Sequence, residues 1–357
     1  MASAAGDRAT LEVRQRGLLM FAIMCISIVQ LLDATIANVA LPHMQTGLGA
    51  SADTVTWVLT SFIIATAVAT PITGWLSDRV GSRNLFIGSI AVFLLASALC
   101  GASVSLPEMV AFRILQGIAA AFIGPMAQTV IFDINPPSKQ AGSLSVWSMV
   151  LMVGPISGPI IGSWLTETLN WRWIYYINLP IGIPALLVIW KLLPSRPVVV
   201  RKLDVLGFWT LGLGLGVLQL MLDRGEGEDW FSSTEIVIEA IVAVSLLWVF
   251  LVHTRLTRTP LFSSELMRNR NFVAGMICMG VLGLANVAMG AMLPSMFQNV
   301  YQYPVMLAGM LAAPRGVGVM LMMMATSRLI RKADLRYVIT AGFAITAYGQ
   351  WMMCNWS

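Results

Sequence analysis

Eleven long apolar runs, divided by short polar links, make up most of this 357-residue chain. They fall at about 17–41, 55–76, 84–104, 108–132, 140–166, 172–193, 203–222, 235–254, 272–297, 304–328 and 336–356. Each is close to the ~20 residues a helix needs to cross a bilayer core. An open chain in lipid can satisfy its backbone only as helices. The pattern therefore predicts an all-α polytopic membrane protein with about eleven transmembrane helices. The first run is too long for a signal peptide and lacks a small-residue cleavage site.

Composition agrees. Hydrophobic residues are 57% of the chain and charged ones 11%, with mean hydropathy +0.79; soluble domains carry about 25% charged residues. The net charge of +5 does not point to nucleic acid. If the N-terminus is cytoplasmic, eighteen of the 22 basic residues share one side and only Arg172 and Arg224 lie opposite. Such an excess marks the cytoplasmic face. Arg113 and Arg315 remain inside apolar runs.

The chemistry concentrates in the first run. Asp33, Thr35 and Asn38 precede Leu41-Pro42. With Pro42 as the helix end, Asp33 lies roughly 13 Å in. A buried acid normally faces a bundle interior or a wet cavity. Run four carries Arg113-Ile-Leu-Gln116-Gly117, and Pro107 at its outer end puts Arg113 roughly 9 Å in. Asp33 and Arg113 thus enter from one face to similar depth and are natural partners. Pairing favours the charged acid and dehydration the neutral one, so the pair can exchange a proton as water and substrate come and go. A static structural ion pair is the alternative. Thr35, Asn38, Gln116 and Arg315 are candidate linings of a substrate cavity.

Two further stretches concern movement. Gly74, Asp78, Arg79, Gly81 and Arg83 form an expected loop between runs two and three. Its glycines permit a tight turn, and its charges can meet helix ends, acids or lipid phosphates; an ordinary basic loop is the plainer reading. Run five has Gly154, Pro155, Gly158, Pro159 and Gly162. Glycine at every fourth position makes a smooth face for close helix packing, and the prolines bend the helix.

Other signals are bland. The cysteines at 25, 100, 278 and 354 sit in apolar segments without metal-like spacing and read as small apolar fillers. Gly212, Gly214 and Gly216 lie inside a membrane run, so they make no dinucleotide loop. The methionines of runs nine and ten suit a promiscuous surface or plain filler. His43 and His253 are placed at run ends, at the membrane interface. No catalytic triad, metal cluster or phosphate loop is visible, so neither an enzyme nor a cofactor is expected.

Part of the chain repeats at an offset of about 253 residues. Leu41-Pro42 matches Leu293-Pro294, and Gly74 to Arg83 aligns with Ser327 to Arg336. Repeated halves with a site between them are a transporter signature.

These motifs together resemble the major facilitator superfamily, in its fourteen-helix drug:proton antiporter branch, the EmrB/QacA group. Leu32-Asp33-x-Thr35-Ile36-x-Asn38 through Pro42 is similar to that branch's first-helix motif. The Gly74 stretch resembles the helix 2–3 motif, with Ser82 where a basic residue is usual, and Arg113-x-x-Gln116-Gly117 the helix 4 motif. Gly154 to Gly162 resembles the helix 5 antiporter motif, with Ser163 replacing a common Gly. Trp171-Arg172-Trp173 through Gly182, and Leu222 through Phe231, are also similar. The resemblance implies a six-helix N-terminal bundle at 1–195, an inserted helix pair at 196–260, and the first three helices of a C-terminal bundle at 261–357.

It also implies a proton-coupled multidrug exporter of a bacterial inner membrane. Asp33 would be the coupling carboxylate, with alternating access and hydrophobic or amphipathic substrates. Possible partners are an EmrA-like periplasmic adaptor and a TolC-like outer-membrane channel. A narrow metabolite or siderophore exporter, and a non-transporting membrane protein, stay open. By the repeat offset the chain ends where span three ended in the first half. The expectation is a chain lacking its last three helices, with the final spans loosely docked and export weak or absent.

Overall fold

The computed structural model describes residues 9–354 except 197, 199–201, 258–259, 263 and a scattered set between 304 and 332. Seven helices among the described residues are long and apolar enough to cross a membrane. The principal helices are α1 (Arg16–Gly47), α2 (Trp57–Val80), α3 (Ser82–Ala102), α4 (Leu106–Ile134), α5 (Pro137–Leu151), α6 (Val153–Thr168), α7 (Trp173–Leu192), α8 (Val205–Arg224), α9 (Thr234–Leu256), α10 (Arg270–Asn299) and α11 (Leu335–Cys354). The fifth expected span is divided between α5 and α6. The tenth, 304–328, lies largely outside the described residues.

Two boundaries differ from the sequence reading. Pro42 does not end the first helix, which runs to Gly47. Proline removes one backbone donor, but neighbouring packing lets a membrane helix run on through it. Asp33 is therefore about 21 Å from that end, deeper than expected. The stretch from Gly74 to Arg83 is not an open loop either. Thr73–Val80 and Ser82–Ala102 are helical, and the turn is Gly81 alone, at φ 91° and ψ 136°. That backbone suits a residue without Cβ, whereas a Cβ added at Gly74 would meet nothing within 4 Å. The short link still reverses the chain, because one left-handed residue suffices.

Glycines set the closest helix approaches. A Cβ on Gly117 would lie 2.5 Å from the Phe62 carbonyl oxygen, which lets α4 cross α2 tightly. Gly212 and Gly216 of α8 lie against Val68, and Gly214 lies against Leu247. The hairpin of α8 and α9 thereby packs on α2, where Thr60 also donates a hydrogen bond to Asp223.

Two buried apolar layers hold α1, α3, α4 and α7 together. One contains Ile26, Val29, Leu94, Ala119, Ile123 and Ala185. The other contains Leu32, Ile36, Cys100, Met109, Ile174 and Tyr175. Asp33, Ser97, Arg113, Gln116 and Asn178 fall at or beside the seam, and all are buried.

Candidate functional site

The seam is a closed polar cluster. Arg113 Nη1 donates to Asp33 Oδ2 at 2.7 Å. Gln116 Nε2 and Asn178 Nδ2 donate to Asp33 Oδ1 at 3.0 and 2.7 Å. Arg113 Nη1 also donates to Gln116 Oε1 at 2.8 Å, and Arg113 Nε to the Val58 carbonyl at 2.9 Å. The guanidinium lies 4.2 Å from the centroid of the Phe62 ring. Asp33, Arg113, Gln116 and Asn178 are each 0% exposed.

Helix spacing explains the set. Arg113 and Gln116 are three apart, so they share a face of α4. Asn178 opens the longer segment of α7, just past the break at Ile177. Ser97 accepts from Asn178 Nδ2 at 2.8 Å and donates to the Tyr175 carbonyl at 2.9 Å. Cys100, which reads as filler, has its thiol 3.7 Å from Gln116 Oε1. A buried ion pair is favoured only when its remaining polar atoms are also satisfied. Here Arg113 Nη2 and Asn178 Oδ1 have no hydrogen-bond partner among the described residues.

The glycine stripe packs on the stretch of α1 that carries Asp33. A Cβ on Gly154 would meet Leu31 and Leu32 at 3.0 and 3.1 Å; one on Gly162 would lie 2.8 Å from Ile36 Cγ1. A Cβ on Gly158 would overlap the Thr35 hydroxyl. The α6 stripe therefore rests on α1 around the level of Asp33. Pro159 lies within α6, and Pro155 near its start.

The other expected residues are placed separately. Gln116 is fully buried and bound into the cluster through Asp33. Thr35 bonds back to the Leu31 and Leu32 carbonyls, and exposed Asn38 to that of Ala34. Arg315 is half-buried and has an interaction partner of its own. Asp78 also has a partner, and Arg79 stacks over Trp75 at 5.4 Å. Arg83, expected to meet acids or lipid, instead donates to the Trp190 and Leu193 carbonyls, both at 2.6 Å. It thus closes the end of α7. His253, in the last turn of α9, is half-buried, with Nε2 2.7 Å from Asp204 Oδ1.

A cavity of about 980 Å³ lies between α2, α4 and α8. Leu211, Leu215, Leu218 and Leu222 give it an apolar wall; Asp78, Arg196, Lys202 and Asp204 add charge. None of Thr35, Asn38, Gln116 and Arg315 lines it. Sequence reasoning missed this chamber, and missed Ser97 and Asn178. The only sequence signal for Asn178 was its place in the stretch from Trp171 to Gly182 that resembles the family, where it was given no role.

The sequence model described as Major Facilitator Superfamily matches residues 23–357. Over 332 residues the chain is 39% identical to the Multidrug export protein EmrB of Haemophilus influenzae, covering 92% of this chain and 65% of that one. It is 37% identical to the Fatty acid resistance protein FarB of Neisseria gonorrhoeae, covering 89% and 63%. The chain thus spans about two-thirds or less of these relatives' lengths. The crystal structure of the human organic anion transporter MFSD10 superposes with TM-score 0.57 at 17% identity, covering 88% of this chain and 72% of that one; at that identity the likeness concerns the fold.

Proposed function

This chain belongs to the major facilitator superfamily, and from that premise we propose that it works as a proton-coupled exporter of hydrophobic or amphipathic compounds. One observation carries the reading: a fully buried Asp33–Arg113 pair directly behind a glycine stripe. A carboxylate away from water can hold a proton when its partners rearrange. The stripe allows α6 to move closely against α1 without interlocking side chains. Asp33 is then the proton carrier and Arg113 its counter-ion, while Gly154, Gly158 and Gly162 form the sliding face.

The names of the relatives support drug-like or fatty substrates, and the apolar wall and charged groups of the large cavity suit such amphiphiles. The placement of basic residues supports a cytoplasmic N-terminus, and the bacterial relatives support an inner-membrane location. We further propose α1–α7 as the N-terminal bundle, α8–α9 as the inserted pair, and an adaptor and outer-membrane channel as partners.

The test is substrate-dependent proton movement in proteoliposomes. Wild-type protein is expected to move protons when substrate is added, and Asp33→Asn to insert normally without doing so. Unaltered proton movement in Asp33→Asn would rule out the assignment.

A further inference from the structure

Among the described residues, Asn178 is the side chain that joins the Asp33 carboxylate to both α3 and α7. Its Nδ2 supplies one hydrogen to Asp33 Oδ1 at 2.7 Å and the other to Ser97 Oγ at 2.8 Å. Ser97 in turn donates to the carbonyl of Tyr175, beside the break in α7 at Ile177. The other end of the amide, Oδ1, is buried and has no hydrogen-bond partner among the described residues. The titratable groups facing Asp33 are Arg113 and Cys100 from α4 and α3, and Tyr175 from α7. Arg113 and the amide of Gln116 are already fixed to one another.

An ionised carboxylate only accepts hydrogen bonds, whereas a protonated one has an O–H to donate. Arg113 has no acceptor to offer that proton. An amide offers donors at one end and an acceptor at the other, in nearly the same shape. We propose that Asn178 is a positioning residue that reads the protonation of Asp33. Its NH₂ end holds the ionised form, and half a turn of the amide presents Oδ1 to the protonated form. The proton stays on Asp33, and no covalent bond of Asn178 changes. The turn puts an acceptor where Ser97 had met a donor. The Ser97 hydroxyl must then swing toward Oδ1 and release the Tyr175 carbonyl. Protonation in α1 is thereby felt at the break in α7. This inference rests on the proposed role of Asp33 as proton carrier.

The test is infrared difference spectroscopy of the full chain in lipid vesicles after a pH step, with isotope-labelled asparagine. Wild-type protein is expected to show a carboxyl band that is absent in Asp33→Asn. It should also show an asparagine amide band with the same pH midpoint, absent in Asn178→Leu. The carboxyl band should shift in Asn178→Leu. Ser97→Ala, a smaller change, should keep the amide band but move it, and serves if Asn178→Leu does not insert. A carboxyl band assigned to Asp33 with no accompanying amide band, or with one that Ser97→Ala leaves unmoved, overturns the inference alone. A wild-type spectrum reproduced in Asp33→Asn overturns the proton-carrier reading and this inference with it.

Discussion

Gly158 rests directly on the hydroxyl of Thr35, two residues along α1 from the buried carboxylate of Asp33. The packing face and the charged site are thus one assembly. Any side chain added to that face presses on the turn of α1 that carries the acid.

Gly158→Leu should therefore insert and bind substrate but fail to turn over. The milder Gly162→Ala puts a Cβ 2.8 Å from Ile36 Cγ1. Overpacking of this kind costs about 1–3 kcal/mol. Thermal unfolding in detergent should show the loss, and Ile36→Val, which trims the side chain, should cost less in the Gly162→Ala chain than in wild type. A Gly162→Ala chain as stable as wild type would mean that the α1–α6 contact is loose.

Removing Arg113 leaves a buried acid without its ion partner. Breaking such a pair costs about 3–5 kcal/mol. Arg113→Ala should lower the unfolding temperature clearly, and Asp33→Asn in the same chain should recover part of the loss. Arg113→Lys should rescue poorly, because one ammonium cannot reproduce the separate Nε bond to Val58 and Nη1 bonds to Asp33 and Gln116. Additive losses in the double variant would contradict the coupling.

Two glycines of one motif should respond in opposite directions. Gly74 is helical with open space around it, so Gly74→Ala should stabilise by up to about 1 kcal/mol. Gly81 sits at φ 91°, so Gly81→Ala should cost about 1–3 kcal/mol through backbone strain. Unfolding temperatures of the two variants, compared side by side, check the sign of each.

Asp204 serves three groups: Gly207 N at 2.9 Å, Leu261 N at 3.2 Å and His253 Nε2 at 2.7 Å. It caps α8, ties it to the end of α9, and holds the following segment. Loss of a helix cap alone costs about 1 kcal/mol. Asp204→Ala should therefore destabilise more than His253→Ala, as read by limited proteolysis between α9 and α10. Equal cleavage rates would show that the histidine contact is the whole of the joint.

Hydrophobic run length is a local property, so the membrane helices and their all-α class were legible in the sequence. An acid and an arginine inside apolar runs were legible as partners, but their depths were not, because α1 runs on past Pro42 to Gly47. Pro42 misled, since a proline's cost depends on the neighbours that support the helix around it. Gly74 and Gly81 look alike in sequence, and only the backbone angle separates the packed turn from a helical interior. The bond of Gln116 to Asp33 was not legible, because a polar side chain looks the same in sequence whether it meets water or a buried carboxylate. Ser97 and Asn178 lie 81 residues apart and are uncharged, so no period or charge pattern links them. Their meeting at Asp33 was decided by the packing of α3 and α7 on α1, where a dehydrated acid must find every available donor.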